Sequence, residues 1–228
     1  MFILHIETST KICSVALSKD DQLVGFIDHE EGMNHTAILS PSIQTLLNTY
    51  SIKPSDLGFV TVSSGPGSYT GLRVGGATAK ALAYSLNIPI LGVPSLLALA
   101  SAAFQKYPDA PFAWPMLDAR RNEVFTSLYN SEMEQVLPVS SFILEYPAIA
   151  DIIPAYGKVI CCGDGSSKLK DLADAFPNLI IDHEIQSSAR HLIGPAWSLI
   201  SEGKKGDPLH FVPDYLKPPN ITQQKKVI

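Results

Sequence analysis

Cysteine is scarce in this 228-residue chain, with Cys13, Cys161 and Cys162 the only three. An odd set with a vicinal pair and no Cys-x-x-Cys spacing excludes a disulfide framework and a zinc knuckle, and points to a reducing, cytoplasmic setting. Basic charge is thin as well. Lys and Arg number 17 against 22 Asp and Glu, giving a net charge of −5, and the only adjacent basic pairs are Arg120-Arg121, Lys204-Lys205 and Lys225-Lys226. That is little for a surface meant to track phosphates, so direct, autonomous RNA binding is not expected. The six histidines, His5, His29, His35, His183, His191 and His210, contain no i, i+4 pair and no His-Glu-x-x-His run. A histidine-based metal site is therefore not expected. A nucleophile elbow and a Cys–His pairing are missing too.

Long hydrophobic runs are missing too. His5 and Glu7 interrupt the apolar N-terminus and leave no room for a secretory signal, so the mature chain is expected to start at Met1. The longest uncharged stretch, Ala81–Gln105, is broken by Asn87, Pro89, Gly92 and Pro94. It reads as the end of a helix, a buried strand Ile88–Val93 and a helix from Ser95, not as a membrane span.

What is present is enough to build a core: 46% of residues are hydrophobic, 17% are charged, and mean hydropathy is +0.14. Phe2–Glu7, Ile12–Ser18 and Gln22–Asp28 are three strand-like runs separated by polar turns such as Lys19-Asp20-Asp21, the pattern of a β-meander. From Asn34 the period changes. Leu39, Ile43, Leu46, Leu47 and Tyr50 fall on one stripe of an amphipathic helix, which Pro41 is expected to kink or to begin. Gly58–Ser63 then reads as a buried strand, followed by a glycine loop, Gly65-Pro66-Gly67-Ser68-Tyr69-Thr70-Gly71, and a helix to about Leu86.

Two segments could carry chemistry. Glu7-Thr8-Ser9-Thr10 leaves a strand and enters a tight turn, where Glu7, Thr8 and Ser9 could hold a phosphate or a metal-bound water, or where the hydroxyls simply satisfy the turn. In the glycine loop, Gly65 and Gly67 relieve steric limits, Ser68 can cap the next helix, and free amides there could bind an anion. It is not a Walker A loop, because no Lys-Ser or Lys-Thr pair follows and Arg73 is the first basic residue. Gly71, Gly75, Ala79 and Ala83 then recur every four residues as a stripe of minimal side chains. Glycines inside a helix cost about 1 kcal/mol each relative to alanine, so a close approach must compensate, either to a neighbouring internal element or to a second molecule.

The polar, proline-bearing segment 105–111 is the expected boundary between a first half, 1–105, and a second, 111–228. Pro115–Arg120 and Val124–Asn130 form a second strand pair there, and Val159–Cys162 enters the turn Gly163-Asp164-Gly165. With an offset of 111 residues, Ile6-Glu7 falls on Leu117-Asp118, Cys13 on Val124 and Leu17 on Leu128. Two such halves predict an α/β chain of the actin-like ATPase class, a duplicated ribonuclease-H-like fold with an abbreviated second half. Residues 131–156 show no clear periodicity.

Ile3–Thr10, His35-Thr36-Ala37 and above all Gly65-Pro66-Gly67-Ser68-Tyr69-Thr70-Gly71-Leu72-Arg73-Val74-Gly75 resemble the TsaB family, the dimerisation subunits of the tRNA threonylcarbamoyladenosine system. The resemblance runs clearly over residues 1–130 and loosely to Pro213-Asp214-Tyr215-Leu216-Lys217, where Lys217 stands in place of the family's Arg. It implies a non-catalytic subunit that binds and activates a TsaD-type transferase acting on N6 of tRNA adenosine 37. A TsaE-type ATPase is implied as a further partner, with a homodimer when the partner is absent and tRNA engaged only indirectly. The same resemblance places partner contacts on the first-half helices, at His35, Leu39, Ile43, Leu46, Gly71, Gly75, Ala79 and Ala83. No cofactor is implied for this chain alone, and ATP or ADP is implied only within the complex. Where TsaD carries a metal-binding histidine segment, this chain has Ser95 and Leu99, so the resemblance implies a paralogue without the metal. From the residues a small-molecule kinase or ATPase using Glu7, Asp118 and the two glycine turns around a cleft stays open; the resemblance to the wider family also implies a glycoprotein peptidase, which the missing paired ligands oppose.

Overall fold

β1 (Phe2–Glu7) is buried along almost its whole length, as a central strand covered on both faces must be. It pairs antiparallel with β2 (Cys13–Lys19), which pairs antiparallel with β3 (Gln22–His29). On its other side β1 runs parallel to β4 (Leu57–Gly65), and β4 runs parallel to β5 (Ile90–Pro94). The first sheet therefore has the order β3-β2-β1-β4-β5. Parallel neighbours need crossovers, supplied by α1 (His35–Thr49) before β4 and α2 (Tyr69–Leu86) before β5. Pro41 lies inside α1, exposed, and the helix continues through it. This computed structural model describes residues 1–30, 34–153, 157–171 and 173–217. The pair Lys225-Lys226 and residues 154–156 of the aperiodic stretch lie outside the described residues.

After α3 (Ser95–Lys106) the plan repeats. β6 (Phe112–Asp118), β7 (Glu123–Asn130) and β8 (Gln135–Ile143) form the antiparallel part, and β9 (Val159–Cys162) and β10 (Leu179–Asp182) the parallel part. The order β10-β9-β6-β7-β8, taken from the other edge, is that of the first sheet. All five strands are kept, so the shortening falls on the helices. α4 (Tyr146–Ile152) has 7 residues, and the β9–β10 connection holds only 3-10 turns at Asp164–Leu169 and Ala173–Ala175.

Two prolines obscured this half. Pro115 lies in central β6, where the pairing with β7 skips from Ala113 to Met116, as a residue with no N–H to give would make it do. Pro138 lies in β8, an edge strand, where proline is tolerated. The expected equivalences also need a correction. The first hairpin has five residues between its strands (8–12) and the second has four (119–122), so the pair Ile6–Val15 corresponds to Leu117–Phe125. The offset is 111 on the first strand and 110 on the second. Cys13 and Leu17 therefore match Glu123 and Ser127, one residue from the expected Val124 and Leu128, and a slip of one turns a side chain to the other face.

The halves are not linear segments. α3 closes the first, yet its Leu96, Leu99 and Ala103 pack with Leu117, Ile160 and Cys162 of the second sheet. Beyond β10 the chain goes back. A 3-10 turn (Ala189–Leu192) packs on β1 and β2, α5 (Ile193–Ser201) packs on α3 and β5, and Gly206 forms a β-bridge with Ile90. Ser14 ties this return to the first sheet: its hydroxyl donates to Asp28 at 2.5 Å and accepts the Ala189 amide at 2.7 Å, while Ser188 also donates to Asp28. Within the expected second half, 111–228, the described sheet strands end at Asp182, and Ala189–Ser201 pack on elements of the first. Among the described residues, no helix is long and apolar enough to cross a membrane.

Candidate functional site

The residues expected to bind phosphate and those expected to bind a partner meet in one internal knot. Glu7 ends β1 buried, and its Oε1 accepts the Ser9 amide at 2.6 Å. Burial pushes the Glu7 carboxyl above its usual range, against the hydrogen bonds from Ser9, Ser63 and Thr8 that oppose the shift. The Ser9 carbonyl accepts the Ser68 amide at 2.6 Å, and a Cβ on Gly67 would press into Ser9. Thr8 Oγ1 donates to the Gly71 carbonyl at 2.9 Å, and the ring of His35 at the start of α1 bonds the Thr10 carbonyl at 2.8 Å through Nε2. Ser68 does cap α2 as expected, accepting the Gly71 amide at 3.3 Å. Gly65, where β4 ends, lies under the backbone of Asp214. The turn and the loop thus fill each other, and the amides of Ser9 and Ser68 are already taken.

The small-residue stripe faces the same knot. A Cβ on Gly71 would overlap the Thr8 carbonyl, and one on Gly75 the Thr8 hydroxyl; Ala79 and Ala83 are fully buried in the first core. Leu39, Ile43 and Leu46 of α1 are buried in that core too, and His35 is buried against Thr10. None of these eight side chains can be a surface contact in this fold. They hold α1 and α2 on the sheet and thereby decide which faces look outward. On α2 the outward set is Thr70, Arg73, Ala77, Ala81, Tyr84 and Ser85; on α1 it is Thr36, Ala37, Ser40, Gln44, Thr45 and Asn48, flanked by Pro41. Arg73 is the one charged residue in both sets, so the paired helices present a nearly chargeless face of small side chains. The sequence carried the signal: at about 100° per residue, Ala77, Ala81 and Tyr84 lie opposite the glycine stripe.

The C-terminal stretch was not anticipated at this site. Lys80 Nζ donates to the carbonyls of Leu209 (3.3 Å) and Phe211 (3.0 Å), and the Phe211 ring lies over Gly76 and Gly92. The Asp214 amide donates to the Ser64 carbonyl at 2.6 Å. Tyr215 packs, tilted, at 4.8 Å on Tyr69, whose ring carries the Arg73 guanidinium at 4.3 Å. The glycine loop thus seats the chain's own tail. Lys217 then reaches Glu123 at the start of β7, 2.5 Å away, and this single ammonium makes the contact without a bidentate fork.

The second-half carboxylate is held differently. Asp118 accepts the Arg120 amide at 2.7 Å and pairs with Lys168 at 2.5 Å, while its own amide donates to Asp164. Burial alone would raise the Asp118 carboxyl, but the Lys168 ammonium and the Arg120 amide outweigh it and hold it below its usual range. Burial raises Asp164 instead. Glu7 and Asp118 are thus topological twins with opposite electrostatics. The TsaD-type metal does not fit this chain, because Ser95 and Leu99 open α3 buried, with Leu99 packed in the second core. Among the described residues, no group of three or more His, Cys, Asp or Glu could hold a metal ion. In the lone chain Ser9 abuts Gly67 and accepts the Ser68 amide, so the turn and the glycine loop are in direct contact.

Two five-stranded sheets of one order, each led by a hairpin whose first strand ends in a carboxylate, define the duplicated ribonuclease-H-like architecture of the actin-like ATPase class. Within that class, the family model "TsaD: tRNA N6-adenosine threonylcarbamoyltransferase" matches residues 12–204. The chain is 40% identical over 147 residues to the tRNA threonylcarbamoyladenosine biosynthesis protein TsaB of Bacillus subtilis, covering 63% of each chain. It is 28% identical over 221 residues to the Escherichia coli protein of that name, covering 95% of each. The solved YeaZ structure from Pseudomonas aeruginosa superposes with a TM-score of 0.75 at 25% identity, over 94% of this chain and 99% of that one. The chain belongs to the TsaD threonylcarbamoyltransferase family, in its TsaB branch.

Proposed function

We propose that this chain is a non-catalytic, cytoplasmic subunit of threonylcarbamoyladenosine biosynthesis, which binds a TsaD-type transferase and activates it for N6-threonylcarbamoylation of tRNA adenosine 37. The observation that carries this reading is the outward face of α1 and α2, nearly chargeless and lined by small side chains, beside a glycine loop whose Ser68 and Gly71 amides are bonded internally. Such a face suits helix-on-helix docking, because small side chains let a second helix pair approach closely and Arg73 is the single charge on the face. The family model's match covers both helices, so relatives share the pair and a two-on-two contact would be nearly self-complementary. A homodimer through this face when the partner is absent follows from the same geometry. In this reading a TsaE-type ATPase acts on the assembled complex, ATP or ADP belongs to that complex, and tRNA is met through the catalytic partner. The net charge of −5 agrees with that last point.

The test is to mix the full chain with the TsaD-type protein of its own genome. Co-elution and restored threonylcarbamoyladenosine formation are expected, with negligible activity from this chain alone; loss of both rejects the reading. The kinase or ATPase alternative requires a free phosphate cradle, and calorimetry with ATP on the lone chain decides it. Heat of binding that Gly67→Val and Asp118→Ala abolish would establish the alternative.

A further inference from the structure

Among the described residues, the three most exposed large apolar side chains are Tyr84 (67%), Val212 (66%) and Leu209 (63%), and Tyr215 and Leu216 are also exposed. Five exposed apolar side chains thus sit on one side of the molecule, where scattered singles are the ordinary case. Tyr84 is on the outward face of α2, and the other four belong to the tail that Lys80, Ser64 and the Tyr69 ring hold alongside that helix. Those bonds hold the tail's backbone while Phe211 packs inward over Gly76 and Gly92 and Leu209, Val212, Tyr215 and Leu216 stay exposed. Ordering of this strip is therefore already accomplished before any partner arrives, which removes part of the entropy opposing association.

We infer that the tail segment Leu209–Leu216 is a third track of the docking surface, continuous with α1 and α2, and that its occupant is the TsaD-type subunit. The inference rests on the reading under Proposed function and adds to it. Area favours it. α1 and α2, with 15 and 18 residues, are about 22 and 27 Å long and about 10 Å wide, so together they offer roughly 500 Å². A stable interface takes about 800 Å² from each partner, and an extended tail of this length adds roughly 200 Å². The Arg73, Tyr69 and Tyr215 cluster at the junction of helix and tail brings together residue types that dominate binding energy at interfaces.

The test measures the affinity of the full chain for its genomic TsaD-type counterpart with wild type, Ala81→Arg on the helix, and the double variant Leu209→Glu/Val212→Glu on the tail. Both tail positions are exposed, so unchanged circular dichroism and melting temperature are expected for the double variant. The expected result is a loss of at least tenfold in affinity for the tail variant and a larger one for Ala81→Arg, with hydrogen exchange of residues 209–216 slowed in the wild-type complex. Wild-type affinity in the tail variant alongside loss in Ala81→Arg would overturn the inference and leave the proposed function standing. No wild-type binding at all would remove both. If the tail variant abolishes only self-association of the chain, the occupant is a second copy and the assignment to the catalytic subunit is overturned.

Discussion

The two halves carry one strand plan and spend it differently. The first sheet is covered by α1 and α2, of 15 and 18 residues, whereas the second has a helix of 7 residues, short 3-10 turns and a borrowed α3. A sheet needs its apolar face covered, and short turns suffice for that. Long helices beyond that need leave an outward face, and only the first half has one. The carboxylates that end β1 and β6 diverge in parallel: Glu7 is sealed beneath its own loop, while Asp118 keeps a lysine partner in a half-open turn. The first half is thus built around close backbone approaches and the second around side-chain pairs.

The strongest way to break that contrast is a pair of glycine substitutions. Gly75→Val drives a branched side chain into Thr8 at the centre of the knot, whereas a Cβ at Gly157, before β9, makes only ordinary contact with Pro111. Overpacking of this kind costs about 3 kcal/mol or more, so Gly75→Val should lower the urea midpoint sharply and Gly157→Val by less than about 0.5 kcal/mol. Equal losses at the two sites would end the distinction between the halves.

Acid provides the next test, through His5. Its ring is fully buried, bonded to Thr61 at 2.6 Å and to Ser18 at 2.9 Å, and burial lowers its pKa to about 3. The first-strand register places Met116 at the same position in the second half. Because the unfolded histidine protonates near pH 6.5 and the folded one does not until about 3, the unfolded state binds more protons between those values. Stability from this group is full above pH 6.5 and falls as pH drops towards 3, by about 2–3 kcal/mol at pH 4.5. His5→Met should cost about 1–2 kcal/mol at pH 7 through the lost hydrogen bonds, yet show a shallower acid loss, so that the two stability curves converge or cross. His191, lowered by burial to about 4, is common to both proteins and cancels in the comparison. Curves that stay parallel from pH 7 to 4.5 would remove His5 from the account.

These contrasts show what a bare sequence can carry. Period and glycine chemistry were enough to find the first meander, α1, α2 and β5, because local pattern and tertiary role agree there. The second half was harder, since Pro115 and Pro138 interrupt strands that the register nevertheless keeps, and β9 and β10 have 4 residues each. At the site, the residues singled out for partner contact lie on the buried side of α1 and α2. A stripe of Gly and Ala reports a close approach without saying to what, and here the neighbour is Thr8 of the same chain. The tail escaped because part of its hold comes from its main-chain groups, the Leu209 and Phe211 carbonyls and the Asp214 amide, which leave no side-chain pattern, and its ring contacts, Tyr215 on Tyr69 and Phe211 over Gly76 and Gly92, join residues far apart in the chain.

A smaller effect sharpens the carboxylate contrast. Lys168→Met removes the ammonium from Asp118 and leaves it the Arg120 amide, so the Asp118 carboxyl should titrate at higher pH by NMR. The pair is partly open to water, and screening limits the cost to about 0.5–1 kcal/mol. Glu7 should show no change in the same spectra, since its partners are amides and hydroxyls of the first half. A shift at both sites would mean that the two carboxylates communicate across the halves.

The weakest perturbation concerns the ion pair by which, among the described residues, the tail reaches the second sheet. Lys217 places a single ammonium on Glu123, which also accepts the Ser141 hydroxyl and is held below its usual pKa first by Lys217. Lys217→Arg offers a planar fork in its place, but the second Glu123 oxygen must be free to take it and both side chains are partly exposed. The melting temperature should therefore move by no more than about 2 °C in either direction. Glu123 provides the decisive readout. If the tail truly docks on β7, Lys217→Met raises the Glu123 pKa and Lys217→Arg keeps it low. A Glu123 titration indifferent to both would mean that the tail ends its course on the first half, at Tyr215.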